Sequence, residues 1–91
     1  MTIISKELTI VNKLGLHARA ASKLAQLCQN FTAKITLELE SKSADASSIM
    51  AIMLLAGGQG KRVKVTAQGQ DAEQALAAIS QLICDKFDES E

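Results

Sequence analysis

One imidazole is present in this chain, that of His17, and Arg19 follows two residues later within KLGLHARAASKL, residues 13–24. An extended segment ends before His17, and a helical pattern starts at Ala18. The first turn of a helix presents backbone N–H groups without intrahelical partners at the positive end of its macrodipole, an arrangement that favours an anion. A guanidinium adds a permanently charged fork matched to phosphate oxygens. A neutral imidazole beside them offers a nucleophilic nitrogen. Gly15 and Ala18 are small and leave room for another protein to approach. A dianionic phosphoryl group on His17 is therefore expected to be stabilised, by the backbone of Ala18 and Arg19 and by the Arg19 side chain, without being buried. A solitary histidine is more often structural than functional, and it is these surroundings that favour chemistry. No Asp/His/Ser constellation lies in the adjacent sequence, and the chain offers no nucleotide site. The chemistry left is to accept a phosphoryl group from one protein and give it to another.

The elements that must hold this pair are read from periodicity. ELTIVN (7–12) alternates as a strand, and residues 12–15 turn out of it. From Ala18 the apolar positions Ala21, Leu24, Ala25, Leu27, Cys28 and Phe31 mark one helical face, giving a first helix over about 18–29. AKITLELE (33–40) and RVKVTAQ (62–68) alternate as half-buried strands, and residues 42–46 suggest a short strand between them. The final segment, 71–87, carries a helical stripe of Ala75, Leu76, Ile79, Leu82, Ile83 and Phe87. Asp71 is expected to cap it, with Gln74 completing a capping box.

Residues 47–60, SSIMAIMLLAGGQG, hold eight consecutive apolar residues from Ile49 to Ala56. Met, Leu and Ala favour a helix, Ser48 suits its N-cap, and Gly57 or Gly58 suits a left-handed C-terminal position. A two-turn helix that is apolar all round cannot bury every side against one sheet. Some of Met50, Met53 and Leu54 should therefore be exposed, as a protein-binding surface, with simple burial as the alternative. The order β-α-β-β-α-β-α, with the helices on one face, predicts a two-layer sandwich whose other sheet face is wet.

Length and composition limit the remaining possibilities. Ninety-one residues, 47% of them apolar, make one domain over 1–91 with an aliphatic core containing only two Phe. Ten basic and ten acidic residues cancel, which speaks against a general grip on nucleic acid. The charge is uneven: residues 1–34 hold five basic side chains against Glu7, and the last seven residues form a short acidic tail. No apolar run nears the length of a membrane span and no signal-peptide pattern starts the chain, so no membrane partner and a cytoplasmic location are expected. Cys28 and Cys84 are read as reduced thiols in or beside the core. One His and two scattered Cys do not make a zinc site, and neither metal nor cofactor is expected. GGQGKR contains a GxxG resembling the RNA-clamping loop of KH domains, but such loops join two helices whereas RVKVTAQ alternates like a strand.

Two blocks, GLHARAASKL around His17 and SSIMAIMLLAGGQGKRVKV followed by AQGQDAEQAL, resemble the histidine phosphocarrier (HPr) family of the bacterial phosphotransferase system over essentially the whole chain. The resemblance implies an α+β open-faced β-sandwich, a four-stranded antiparallel sheet covered on one face by three helices. It also implies phosphorylation at Nδ1 of His17, with Arg19 as electrostatic partner. Enzyme I, charged from phosphoenolpyruvate, would be the donor and a IIA-type protein the acceptor. Both would dock on the first two helices, which maps onto Ala18, Ser22, Ile49, Met50, Met53 and Leu54. A carrier that must meet two partners in turn is expected to be a monomer. Sugar-branch members usually read HARPA and are often basic at positions that hold Gln26, Gln29 and Ala51 here. HARAA, IMAIMLLA and the acidic FDESE ending resemble the nitrogen-related branch instead, implying nitrogen-type enzyme I and IIA partners and a regulatory role in place of sugar uptake. A serine matching Ser48 is a kinase target in Gram-positive relatives. Here Ser48 is read as an N-cap, with modification as the alternative.

Overall fold

Alternating and helical patterns settle into four strands and three helices. The structure, a computed structural model, describes residues 2–88. In chain order come β1 (Ile3–Thr9), α1 (Ala18–Cys28), β2 (Lys34–Leu39), β3 (Lys42–Asp45), α2 (Ile49–Leu54), β4 (Arg62–Gln68) and α3 (Ala72–Cys84), and then a 3-10 turn at Lys86–Asp88. The strands form one antiparallel sheet in the order β1-β4-β2-β3.

Register gives the sheet its two faces. Val65 stands opposite Leu37, which stands opposite Ala44, while Val63 pairs with Leu8 and Ala67 with Ile35. All these side chains are buried beneath the helices. One residue along, Lys64 lies between Glu7 and Glu38 on the open face, a complementary cross-strand row. α3 packs on β1 and β4, α2 packs beside β3, and α1 lies against both α2 and α3. Ala20, Ala21 and Leu24 of α1, Ile52 of α2 and Ala75 and Ile79 of α3 are fully buried in the shared core. Each large aliphatic side chain buried in this way contributes about 1.5–3 kcal/mol. The open-faced α+β sandwich expected from the sequence is what forms.

Four details differ from the sequence reading. β1 starts at Ile3 and ends at Thr9, earlier than 7–12. It is an edge strand, and Lys6 takes an inward register opposite Val65, which breaks the alternation. A charge at that position guards an exposed edge against pairing with another chain. The Asp71–Gln74 capping box does not form. Asp71 precedes α3 without a side-chain cap bond, and its carboxylate reaches across to accept from the N–H of Thr32 at 2.9 Å and of Ala33 at 2.8 Å. The left-handed residue after α2 is Ala56, at φ 55, and neither Gly57 nor Gly58. Finally, the last helical pattern breaks at Asp85. Lys86, Phe87 and Asp88 turn left-handed, at φ 59, 55 and 63, and so deliver Phe87 into the core fully buried. Lys23 of α1 steadies this turn, donating from Nζ to the Phe87 carbonyl at 2.7 Å with the Asp88 carboxylate 3.7 Å away. The rest of the acidic tail, residues 89–91, lies outside the described residues.

Candidate functional site

The approach to His17 is built from two interlocked loops. Gly15 closes a turn, its N–H donating to the Asn12 carbonyl at 3.2 Å. It sits at φ +64, and a β-carbon there would fall on the Gly57 carbonyl oxygen and lie 2.9 Å from the Gly58 Cα. Only glycine meets both demands. Leu16 follows, buried, and its N–H donates to the Gly57 carbonyl at 2.8 Å. A β-carbon on Gly57 would lie 2.8 Å from the side-chain ends of both Ile10 and Leu16, so glycine here lets the two pack closely against the loop. Ile10 completes the lock, donating to the Lys61 carbonyl at 2.9 Å and accepting from the Gly60 N–H at 2.8 Å. The loop before α1 and the loop after α2 thus form one unit, from which His17 emerges.

His17 is the N-cap of α1, extended at φ −78 and ψ 179. Its carbonyl accepts the first intrahelical bond, from the Ala21 N–H at 2.8 Å, and its Nδ1 accepts from the Arg19 N–H at 3.3 Å. An imidazole nitrogen that accepts a hydrogen bond carries the lone pair, which assigns the proton of the neutral ring to Nε2. The lone pair of Nδ1 therefore points at the Arg19 amide in the first turn of α1. The ring is half-buried, and Ala18 and Arg19 are exposed.

α2 stands beside α1 and places the other expected residues. Ile49, Met50, Met53 and Leu54 are all exposed, Met50 and Leu54 each at 73%. Ser22 is half-buried on α1. Ser48 is the N-cap of α2, its Oγ accepting from the Ala51 N–H at 3.2 Å. The neighbouring Asp45 carboxylate accepts from Ser47 Oγ at 2.7 Å and Ser47 N–H at 2.9 Å, and these bonds, the hydroxyl's first, hold its pKa below the ordinary value. No acidic residue occurs between Leu8 and Leu37 or between Ala46 and Gln70. The loops, α1 and α2 therefore present apolar and positive side chains with no carboxylate of their own.

Two contributors were not legible as such in the sequence. Leu14, 68% exposed, adds an apolar side chain on the loop just ahead of His17. Its signal was an apolar residue in an otherwise small and polar turn. The sequence places Gly57 or Gly58 at the end of a helix, whereas a β-carbon on Gly57 would meet Ile10 and Leu16. Nothing local to the sequence marks a contact between loops more than forty residues apart.

Among the described residues, no group of three or more His, Cys, Asp or Glu side chains is gathered to hold a metal ion, and no helix is long and apolar enough to cross a membrane. Comparison with known proteins adds to this geometry. The family model for the PTS HPr component phosphorylation site matches residues 4–85. The chain is 48% identical over 90 residues to the phosphocarrier protein NPr of Shewanella violacea, covering 99% of each. It is 42% identical over 89 residues to the phosphocarrier protein HPr of Cupriavidus necator, covering 98% of this chain and 100% of the relative. Among solved structures, HPr-C-His from Thermoanaerobacter tengcongensis superposes with a TM-score of 0.89 at 41% identity, with both chains fully covered. With that match running through the helix-capping histidine and the exposed face beside it, the chain belongs to the HPr family of phosphotransferase-system phosphocarriers.

Proposed function

We propose that this phosphocarrier works through a covalent phosphohistidine at His17 Nδ1, filled by enzyme I and emptied by a IIA-type protein. The observation that carries this reading is the position of Nδ1: its lone pair already points at the amide end of α1. In the transfer, that lone pair attacks the phosphorus of the phosphorylated donor. A P–N bond forms, the bond from phosphorus to the donor breaks, and the electron pair leaves with the donor. The ring proton stays on Nε2 in this step, so the ring takes up a positive charge beside the phosphoryl oxygens. The incoming oxygens replace Nδ1 as acceptors of the Arg19 N–H, with that of Ala18 beside it, and the Arg19 guanidinium balances their charge. Release to the acceptor is the same step reversed. Charge spread over exposed groups stabilises the dianion without trapping it.

Docking is assigned to Ala18, Ser22, Ile49, Met50, Met53 and Leu54, an apolar centre beside positive charge that fits partners with an apolar patch and acidic rim. One surface serves donor and acceptor in turn, which suits a monomer acting in the cytoplasm. Ser48 is assigned to capping, since its Oγ is engaged with the Ala51 N–H. For the partners, the nitrogen-type enzyme I and IIA are favoured over the sugar-branch pair. The 48% identity to an NPr supports this branch, as do Ala20, Gln26, Gln29 and Ala51 where sugar-branch members often have Pro or basic residues. The test is transfer from phosphoenolpyruvate through each enzyme I type side by side. We expect one acid-labile, base-stable phosphoryl group per chain, delivered faster by the nitrogen-type donor and absent in His17→Ala. Faster delivery by the sugar-type donor would reverse the branch assignment. Label that survives His17→Ala would overturn the site.

A further inference from the structure

We infer that Asn12 is a positioning residue for phosphoryl transfer, acting through the Gly15–Leu16 peptide to set where His17 stands; the inference rests on His17 being the acceptor. Asn12 is fully buried, and among the described residues it is the polar side chain found in the buried set. Burying a carboxamide is costly unless its hydrogen bonds are made, and an apolar residue of similar size would fill the same space at no such cost. What Asn12 does with its burial is specific. Nδ2 donates to the Gly15 carbonyl at 2.8 Å. The other end of that same peptide unit, the Leu16 N–H, donates to the Gly57 carbonyl at 2.8 Å. One peptide plane is therefore pinned at both polar ends, by Asn12 on one side and by the loop after α2 on the other. Gly15 permits the positive φ this plane requires, and its N–H returns to the Asn12 carbonyl at 3.2 Å.

The pinned plane is the last peptide before the Leu16–His17 bond. If it rotated, the start of α1 would keep its core contacts through Leu24 and Ala21, but the His17 ring would swing away from the Arg19 N–H. Asn12 touches neither the phosphoryl group nor a partner. Its effect is on orientation, and orientation is where a displacement of about 1 Å costs up to a hundredfold in rate.

The test uses the full chain with phosphoenolpyruvate and enzyme I. Asn12→Ala removes the donor, and Asn12→Asp keeps the shape while turning an acceptor towards the Gly15 carbonyl. Asn12→Ser, with a short hydroxyl donor, is carried in case either fails to fold. In each folded variant, the amide spectrum should keep its sheet and α3 signals while Leu16, His17 and Arg19 shift. The transfer rate at saturating enzyme I should fall roughly ten- to a hundredfold. The KM for enzyme I should stay within about twofold, because the exposed side chains of α2 are untouched. Asn12→Asp should be no better than Asn12→Ala. Folded variants with wild-type rate and unmoved His17 signals would overturn the positioning role, as would a loss confined to KM. His17→Ala run alongside separates the two readings. Label in that variant would defeat the assignment of His17 itself, whereas an unlabelled His17→Ala with wild-type transfer in the Asn12 variants would defeat only the role of Asn12.

Discussion

His17 is held by backbone: the Arg19 N–H at the helix end in front, and a loop whose Gly15–Leu16 peptide is bonded at both ends behind. The most sensitive neighbour under this arrangement is Gly15. Gly15→Ala must place an L side chain at φ +64 with its β-carbon on the Gly57 carbonyl. The left-handed position alone costs about 1–2 kcal/mol, and the contact adds to it. A urea titration should show that loss, with the amide signals of Leu16 and His17 displaced. Gly58→Ala is the control, since a β-carbon there meets nothing within 4 Å, and it should stay within about 0.5 kcal/mol of wild type. A neutral Gly15→Ala would mean that the two loops are not locked together. The place of His17 at the start of α1 was readable from the sequence because a change of hydrophobic period is local. The lock was not readable, because Gly57 lies far along the chain and only the folded sheet brings the loops into contact.

Among the elements, α2 shows how a short helix serves a surface. Six residues bury only Ile52 outright and leave Ile49, Met50, Met53 and Leu54 in water. Met50→Glu and Met53→Glu should weaken binding to enzyme I by at least about tenfold in calorimetry, while the denaturation midpoint moves little. Unfolding of either variant would show a core residue and not a docking one. This helix was legible because an all-apolar run too long for its core has to surface somewhere. The start of α3 was not. A capping box looked complete in the sequence, yet Asp71 spends its carboxylate on Thr32 and Ala33, partners supplied only by tertiary contact. Those bonds, the Thr32 N–H first, hold the Asp71 pKa below its ordinary value. A carboxylate whose folded pKa is depressed stabilises the fold above its unfolded pKa of about 3.9, and loses that contribution as pH falls through the folded value. Asp71→Asn should therefore lower the melting temperature at neutral pH, and its difference from wild type should close as pH drops below about 4. A pH-independent difference would contradict the bonding.

Across the whole molecule, charge and apolar surface are sorted. The net charge is zero, but the His17 face carries no carboxylate from its own loops and helices, while Glu7 and Glu38 lie on the sheet and Glu40 in the turn between β2 and β3. Burial sorts the two thiols in the same way. Cys28 is buried and its pKa is pushed up to about 11, by desolvation first and by the field of Asp45 second, whereas Cys84 is exposed. A disulfide reagent at mildly alkaline pH should therefore modify one thiol per chain at once and the other only as the chain unfolds. Two fast thiols would contradict the packing of α1. The sheet, its wet face and the one-sided helices were legible from alternation and order, since strands with one polar side allow little else. Two features were hidden. β1 is IISKELT, in which polar residues fall on both faces, and it carries Lys6 on the inward register, as suits an edge strand. Phe87 reaches the core through a left-handed turn that no helical stripe foretells.

The proposed function rests on one bond, from Nδ1 of His17 to phosphorus. Phosphorylating protein labelled with nitrogen-15 in its histidine, using phosphoenolpyruvate and enzyme I, shows by NMR which ring nitrogen couples to phosphorus. The predicted result is coupling at Nδ1 of His17, with the proton retained on Nε2. Coupling at Nε2, or phosphate bound to the chain with no coupling to the ring, would contradict it.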